Sequence, residues 1–166
     1  YAGTRTRKLL DTVDFDSCCI WITMNPILFY KTVLYRDDLE YKVLEAEQRK
    51  FLCIEKCDAY VLSIIAERQV RQQFLYIAFE PIRLLYVRRK PRAANRAFFA
   101  ILESLVYLTK MPYVDDSTKQ CYLAMIQMFA ETVKRCSKNK ALRKAILDVV
   151  ERAQTLARSS LDKANT

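Results

Sequence analysis

Apolar residues of the long stretch 26–79 recur at spacings of three and four, the period of one helix face. The stretch contains no glycine, and its single proline is Pro26 at the start. Asn25 followed by Pro26 is typical of a helix start, because asparagine caps free amides and proline suits the first helical position. The pattern predicts a long helical spine over 26–79, or a helical hairpin broken near 55–58. The apolar positions are Tyr30, Leu34, Tyr41, Leu44, Phe51, Leu62, Val70, Phe74 and Ile77.

Three further segments predict a three-helix bundle over about 92–160. The first is apolar almost all round, which is typical of a central helix. The second begins at a capping-box pattern, Ser117 with Gln120, and the third begins at the capping residue Asn139. Both carry the four-three repeat of packed helices. The predicted fold class is therefore all-α, without a sheet.

The length of 166 residues favours one domain. We expect a single helical domain over 1–166. A division remains possible, into a helical spine or hairpin at 1–80 and a basic three-helix bundle at 81–166.

The composition argues against an enzyme. The chain has no histidine, the commonest general base and metal ligand, and Gly3 is its only glycine. Glycine-rich loops that cradle phosphates or dinucleotides are therefore absent. We expect a protein that is not an enzyme and has no cofactor.

Six cysteines are present, and their spacing argues against disulfides. Cys18 and Cys19 are adjacent, and Cys53 and Cys57 would lie one turn apart on the predicted helix. A zinc site made from these four lacks the CxxC spacing of zinc knuckles. We expect six free thiols, no metal and an intracellular location. No apolar run is long enough to span a membrane.

The net charge of +9 comes entirely from residues after position 80, because residues 1–80 have a net charge of −1 and residues 81–166 have a net charge of +10. Two basic clusters lie at predicted helix junctions. If the last three helices alternate in direction, these junctions meet at one end of the bundle, where two helix N-termini also favour anions. We call this end the basic pole. Its predicted anion- or nucleic-acid-binding residues are Arg88, Arg89, Lys90, Arg92, Arg96, Lys134, Arg135, Lys138, Lys140, Arg143 and Lys144.

The basic pole predicts a non-enzymatic helical interaction module that docks nucleic-acid phosphates. An acidic protein surface or anionic lipid headgroups are other partners of the same charge. The alternative is a structural or assembly subunit that binds only other proteins, with partners along the helical spine.

Two short matches suggest adaptors of the second kind. Leu34, Tyr35 and Arg36 resemble the tripeptide of the LYR family of small mitochondrial helical adaptors, which implies pairing with acyl carrier protein. The segment 139–156 resembles the third helix of a MIT domain, which implies binding of helical tails of membrane-scission proteins. The matching MIT positions are Val150, Arg152, Ala153 and Leu156.

A third match concerns the segment 113–116. Tyr113, Val114, Asp115 and Asp116 resemble the YxDD box of reverse transcriptases. That chemistry needs a strand hairpin and a further aspartate, whereas this segment lies between two predicted helices. We expect it to form a turn and cap a helix.

Overall fold

The structure, a computed structural model, describes residues 16–71, 74–87 and 95–158. These residues form five strands and four α-helices. In chain order they are β1 (Ser17–Ile22), α1 (Pro26–Leu34), β2 (Tyr41–Ala46), β3 (Arg49–Ile54), β4 (Ala59–Arg71), β5 (Phe74–Tyr86), α2 (Arg96–Lys110), α3 (Asp116–Cys136) and α4 (Lys140–Arg158). Short 3₁₀ turns occupy Arg36–Asp38 and Met111–Tyr113.

The all-α prediction is wrong, because the fold is mixed α/β with two antiparallel sheets. The helix start at Asn25 is confirmed, since its side chain accepts a hydrogen bond from the Ile27 amide at 3.2 Å. However, this helix ends at Leu34, and strands occupy most of the stretch that was predicted to be a helical spine. The spine over 26–79 therefore does not exist.

The turn between β2 and β3 explains part of this error. Glu47 and Gln48 both have positive φ, 48° and 60°, as a tight two-residue hairpin turn requires. Lys56, after β3, also has a positive φ of 64°. Asn-Gly or Asp-Gly normally fills such turns, so the glycine-free sequence of this stretch contains no local hairpin signal.

The density of apolar residues explains the rest. In β2 the exposed fraction alternates residue by residue, as expected of a strand with one covered face. Tyr41 and Leu44 also satisfy a helical spacing of three, so the sequence supported both periods. Pairing with a neighbouring strand favours the strand over the helix here, because β2 and β3 gain hydrogen-bonded partners in each other.

The chain divides into two compact units. The sheet unit comprises Tyr1–Thr23 and Glu40–Pro91, and the helical unit comprises Met24–Leu39 and Arg92–Thr166. Each unit is therefore assembled from two separate stretches of chain. The prediction of a single domain, with a possible division after residue 80, stays a prediction.

The sheet unit is built around β4. This strand pairs antiparallel with β1 on one edge and with β5 on the other, and β2 and β3 form a separate hairpin. Its core contains the buried side chains Phe51, Tyr60 and Leu62, each at most 2% exposed. The Tyr60 hydroxyl donates to the Ile54 carbonyl at 2.7 Å. This bond joins β4 to the end of β3.

The helical unit packs α1 against α2 and α4, while α3 packs against both of those helices. Its core includes Ile101, Ile126, Val133, Ile146 and Val149, all fully buried. The helical segments predicted after residue 95 are therefore present. The predicted bundle gains α1 as a fourth helix.

Capping side chains start these helices. Asn95 accepts from the Phe98 amide at 3.0 Å, and Asn139 accepts from the Ala141 amide at 2.9 Å, which confirms the predicted cap at Asn139. Asp115 caps α3 by accepting from the Thr118 amide at 2.9 Å. These backbone and side-chain bonds from Thr118 lower the pKa of Asp115. The predicted turn and capping role of 113–116 is therefore confirmed, although Asp115 replaces Ser117 as the cap.

The adjacent residues Ile146 and Leu147 test the packing of α4. Ile146 is fully buried, whereas Leu147 is 53% exposed. Ile146→Ala should lower the free energy of unfolding by about 2–5 kcal/mol, because it leaves a cavity in the core. Leu147→Ala, the matched control, should change it by less than about 0.5 kcal/mol. Chemical denaturation measures both; equal losses would mean that α4 presents a different face to the core.

Candidate functional site

One face of the three-stranded sheet carries three rows of side chains, because directly paired residues on neighbouring strands project to the same side. We call this surface the outer sheet face. Its rows are Cys18, Ser63 and Pro81; Ile20, Val61 and Leu84; and Ile22, Ala59 and Tyr86.

The outer sheet face is apolar and open along two of its rows. Ile20, Ile22, Leu84 and Tyr86 are 41–73% exposed. A contiguous patch of large exposed apolar side chains is uncommon on a folded protein and is typical of a ligand- or partner-binding surface.

The remaining row, formed by Cys18, Ser63 and Pro81, contains a buried polar group. Ser63 is 1% exposed, and its Oγ has no hydrogen-bond partner among the described residues. Such a hydroxyl costs about 1–3 kcal/mol relative to a satisfied one. It lies next to a register shift between β4 and β5 at Leu62 and Ser63. The outer sheet face therefore combines exposed apolar rows with one buried hydroxyl that has no hydrogen-bond partner among the described residues.

Three thiols meet on the opposite face of the same sheet. Burial raises the pKa of Cys19, and the neighbouring thiols Cys53 and Cys57 raise it further. Burial is the main cause of that rise, and it also raises the pKa of Cys57 to about 11. No metal-binding group of three or more His, Cys, Asp or Glu side chains occurs in the part of the chain that the structure describes. Cys53 and Cys57 pack in the core of the sheet unit, and Cys19 is partly buried beside them.

The helical unit holds a partly buried polar cluster around Asp148. Its Oδ2 accepts hydrogen bonds from the Tyr30 hydroxyl at 2.9 Å, the Tyr35 hydroxyl at 3.1 Å and Arg152 Nε at 3.1 Å. Arg152 also donates from Nη2 to the Tyr35 hydroxyl at 2.9 Å. The cluster therefore joins α1 and the chain just after it to α4.

Charge and burial act together in this cluster. The Arg152 guanidinium lies 5.0 Å from the centre of the Tyr35 ring, within cation–π range. Burial raises the pKa of Tyr30, so its hydroxyl keeps its proton and stays a donor. Hydrogen bonding to Tyr35 and Asp148 raises the pKa of Arg152.

A groove of about 550 Å³ opens beside this cluster. Leu34, Leu108 and Leu156 form its apolar wall, and Thr109 from α2 lies at its edge. One face of α4 supplies the remaining polar groups, which are Asp148, Glu151, Arg152 and Thr155. The volume lies in the range of small-molecule sites.

The predicted basic residues have several local roles. Arg88, Arg89, Lys90 and Arg92 lie outside the described residues. Lys134 pairs with Glu131 at 2.7 Å and lowers the pKa of that carboxyl. Arg143 donates to the Ser137 carbonyl at 2.8 Å and to the Lys134 carbonyl at 2.9 Å, so it satisfies carbonyls at the end of α3.

The other predicted basic residues are exposed near the ends of α2, α3 and α4. They are Arg96, Arg135, Lys138, Lys140 and Lys144. The assignment of the whole set as an anion-binding site stays a prediction.

Comparison with solved structures identifies the fold. The crystal structure of the FMN-bound protein MM1853 from Methanosarcina mazei, described under family model DUF447, matches this chain with a TM-score of 0.71 and 22% sequence identity. The match covers 92% of this chain and 78% of that one. No family model and no curated protein match the sequence. The likeness establishes a shared mixed α/β fold.

These findings overturn the predicted function. A nucleic-acid-docking helical module is wrong, because the chain shares its fold over most of its length with an FMN-bound protein. The alternative of a helical structural subunit or a LYR-like or MIT-like adaptor is also wrong, since it required an all-helical chain. The helical spine that was expected to bind protein partners is absent. No helix in the described ranges is long and apolar enough to cross a membrane.

The sequence contains some indications of the outer sheet face and of the cluster around Asp148, which the prediction of an all-helical fold did not use. The short apolar run in 81–86, bounded by Pro81 and the basic residues after Val87, is consistent with a strand. The sequence singles out Tyr35 only in the LYR-like tripeptide and Arg152 only in the MIT-like segment. In the structure these two side chains form a hydrogen bond with each other. Their contact joins positions more than a hundred residues apart, so only the folded structure shows it.

The raised pKa of Cys57 predicts a loss of stability in alkali. The unfolded thiol ionises near its ordinary pKa of 9.0, whereas the folded thiol keeps its proton until about 11. The stabilising contribution is therefore complete below about pH 9 and is lost as the pH rises to about 11. The free energy of unfolding should fall more steeply over this range in the wild type than in Cys57→Ala. Cys121→Ala removes an exposed thiol and should keep the wild-type slope; identical slopes in all three proteins would contradict the assignment.

Proposed function

We propose that this chain binds FMN, or a flavin of the same kind, on the outer sheet face. The observation that carries the proposal is the likeness of fold, over 92% of the chain, to a protein whose crystal structure is FMN-bound. The surface chemistry of the outer sheet face supports it independently.

The apolar rows suit the flavin ring. Neighbouring strands lie about 4.8 Å apart, so the row Ile20, Val61 and Leu84 spans roughly 10 Å, about the length of a planar three-ring system. The next row ends in Tyr86, which is 73% exposed and offers an aromatic surface. A flat ring that covered these rows would remove apolar surface from water, at about 25 cal/mol for each Å².

Ser63 suits the polar edge of the same ring. A flavin carries carbonyl oxygens and ring nitrogens that accept or donate hydrogen bonds, and the Ser63 hydroxyl can do either. Its Oγ is buried without a partner. A ligand that displaced the groups covering this hydroxyl and bonded to it would recover the stability that the unsatisfied group costs.

The proposal covers binding and assigns no catalysed reaction. A bound flavin supplies hydride and electron transfer, which is chemistry of the cofactor itself. The expectation that the protein is not an enzyme stays a prediction. We also propose an intracellular location, because all six cysteines are free thiols and a reducing compartment preserves such thiols.

FMN titration, followed by flavin fluorescence or calorimetry, tests the proposal. The wild type should bind FMN saturably. Leu84→Glu should weaken binding at least tenfold, about 1.4 kcal/mol, because it puts a charge under the flavin ring. Leu52→Glu is the matched control, since Leu52 is an exposed strand leucine, 65% accessible, on the separate β2–β3 hairpin. It should bind as the wild type does.

Ser63→Ala separates binding from stability. It removes an unsatisfied buried hydroxyl, so the ligand-free protein should unfold at the same temperature or a higher one. FMN affinity should nevertheless fall. Absence of saturable FMN binding by the wild type would refute the proposal, and equal losses in Leu84→Glu and Leu52→Glu would refute the location.

A further inference from the structure

The groove beside Asp148 has polar edges that mainly accept hydrogen bonds. The Thr155 hydroxyl donates to the Glu151 carbonyl at 3.0 Å, and the Thr109 hydroxyl donates to the Val106 carbonyl at 2.9 Å. Each hydroxyl has one hydrogen, so both offer only lone pairs to a ligand. The carboxylates of Asp148 and Glu151 are acceptors as well. A ligand that satisfies these groups must therefore be a donor.

The charges of the groove favour a cation. Asp148 is neutralised by Arg152, whose guanidinium is also held against the Tyr35 ring. Glu151 is exposed, and its carboxylate forms no ion pair with any residue that the structure describes. Within the described ranges, the Glu151 carboxylate therefore has no ion-pair partner, although the whole chain has a net charge of +9.

The spacing along α4 places the acceptors together. Asp148, Glu151 and Thr155 are separated by three and four residues, so they project from one face of the helix. The apolar wall formed by Leu34, Leu108 and Leu156 lies in the same groove. A ligand with a short apolar segment and a cationic group would contact both this wall and the acceptors.

From these contacts we propose that the groove is a second binding site, for a small primary amine with an apolar body. The ammonium group binds Glu151 and the threonine oxygen of Thr155, and the hydrocarbon part packs on the leucine wall. A primary ammonium group has three N–H donors and one compact positive charge, so it can donate to several acceptors at once. The proposal rests on the helical unit alone, so it does not depend on flavin binding.

Three six-carbon probes with different head groups test the proposal by ligand-detected NMR or calorimetry. Hexylamine should bind saturably. Hexanol, which has the same chain without the charge, should bind at least tenfold more weakly. Hexanoate should show no binding, because its charge repels that of Glu151. Equal affinity for the amine and the alcohol, or no binding of hexylamine, would overturn the proposal.

Glu151→Gln tests the residue directly, since it keeps the shape and removes the charge of an exposed side chain. Hexylamine affinity should fall at least tenfold, while hexanol affinity and the melting temperature stay unchanged. Glu103→Gln is the matched control, because Glu103 is an exposed glutamate on α2 that does not line the groove. Unchanged hexylamine binding in Glu151→Gln, or an equal loss in Glu103→Gln, would contradict the assignment.

Discussion

The sheet unit depends on the pairing of β4 along both of its edges. This strand joins 17–22 on one side to 81–86 on the other, and its inner face buries Tyr60 and Leu62 almost completely. Because every side chain of β4 projects to one face or the other, the same pairing that builds the core also builds the outer sheet face. The Tyr60 hydroxyl then connects this sheet to β3. The proposed flavin surface is therefore a consequence of how the core of the unit is made.

Local signals in the sequence predicted the helical unit far better than the sheet unit. The sequence predicts Asn25 and Asn139 as helix caps, and the structure confirms both. Such predictions succeed because a cap depends only on a few neighbouring residues. The β2–β3 hairpin depends on Glu47 and Gln48, and the connection from β3 to β4 includes Lys56; all three adopt positive φ without being glycine. Their conformations are held by strand pairing between distant residues, and no local residue preference indicates them. The outer sheet face was missed for the same reason.

The net charge led to a predicted function that the fold contradicts, and the assignment of the basic residues as an anion-binding site stays a prediction. The prediction treated the basic residues as one surface for an anionic partner, whereas the structure shows some of them completing the ends of helices or pairing with nearby acids. Arg143 satisfies carbonyls at the end of α3, and Lys134 pairs with Glu131. The proposed amine site depends instead on one carboxylate, that of Glu151, which lines a groove. A charge in a defined environment thus says more about a ligand than the net charge of the chain does.

Hydrogen–deuterium exchange with and without FMN tests the central claim most directly, because it reports which backbone segments a ligand stabilises. The account predicts slower exchange in β1, in 59–65 of β4 and in 81–86 of β5 when FMN is bound. Exchange in the β2–β3 hairpin and in the middle of α3 should stay the same. Protection confined to the helices, or no protection at a saturating FMN concentration, would contradict a flavin site on the outer sheet face.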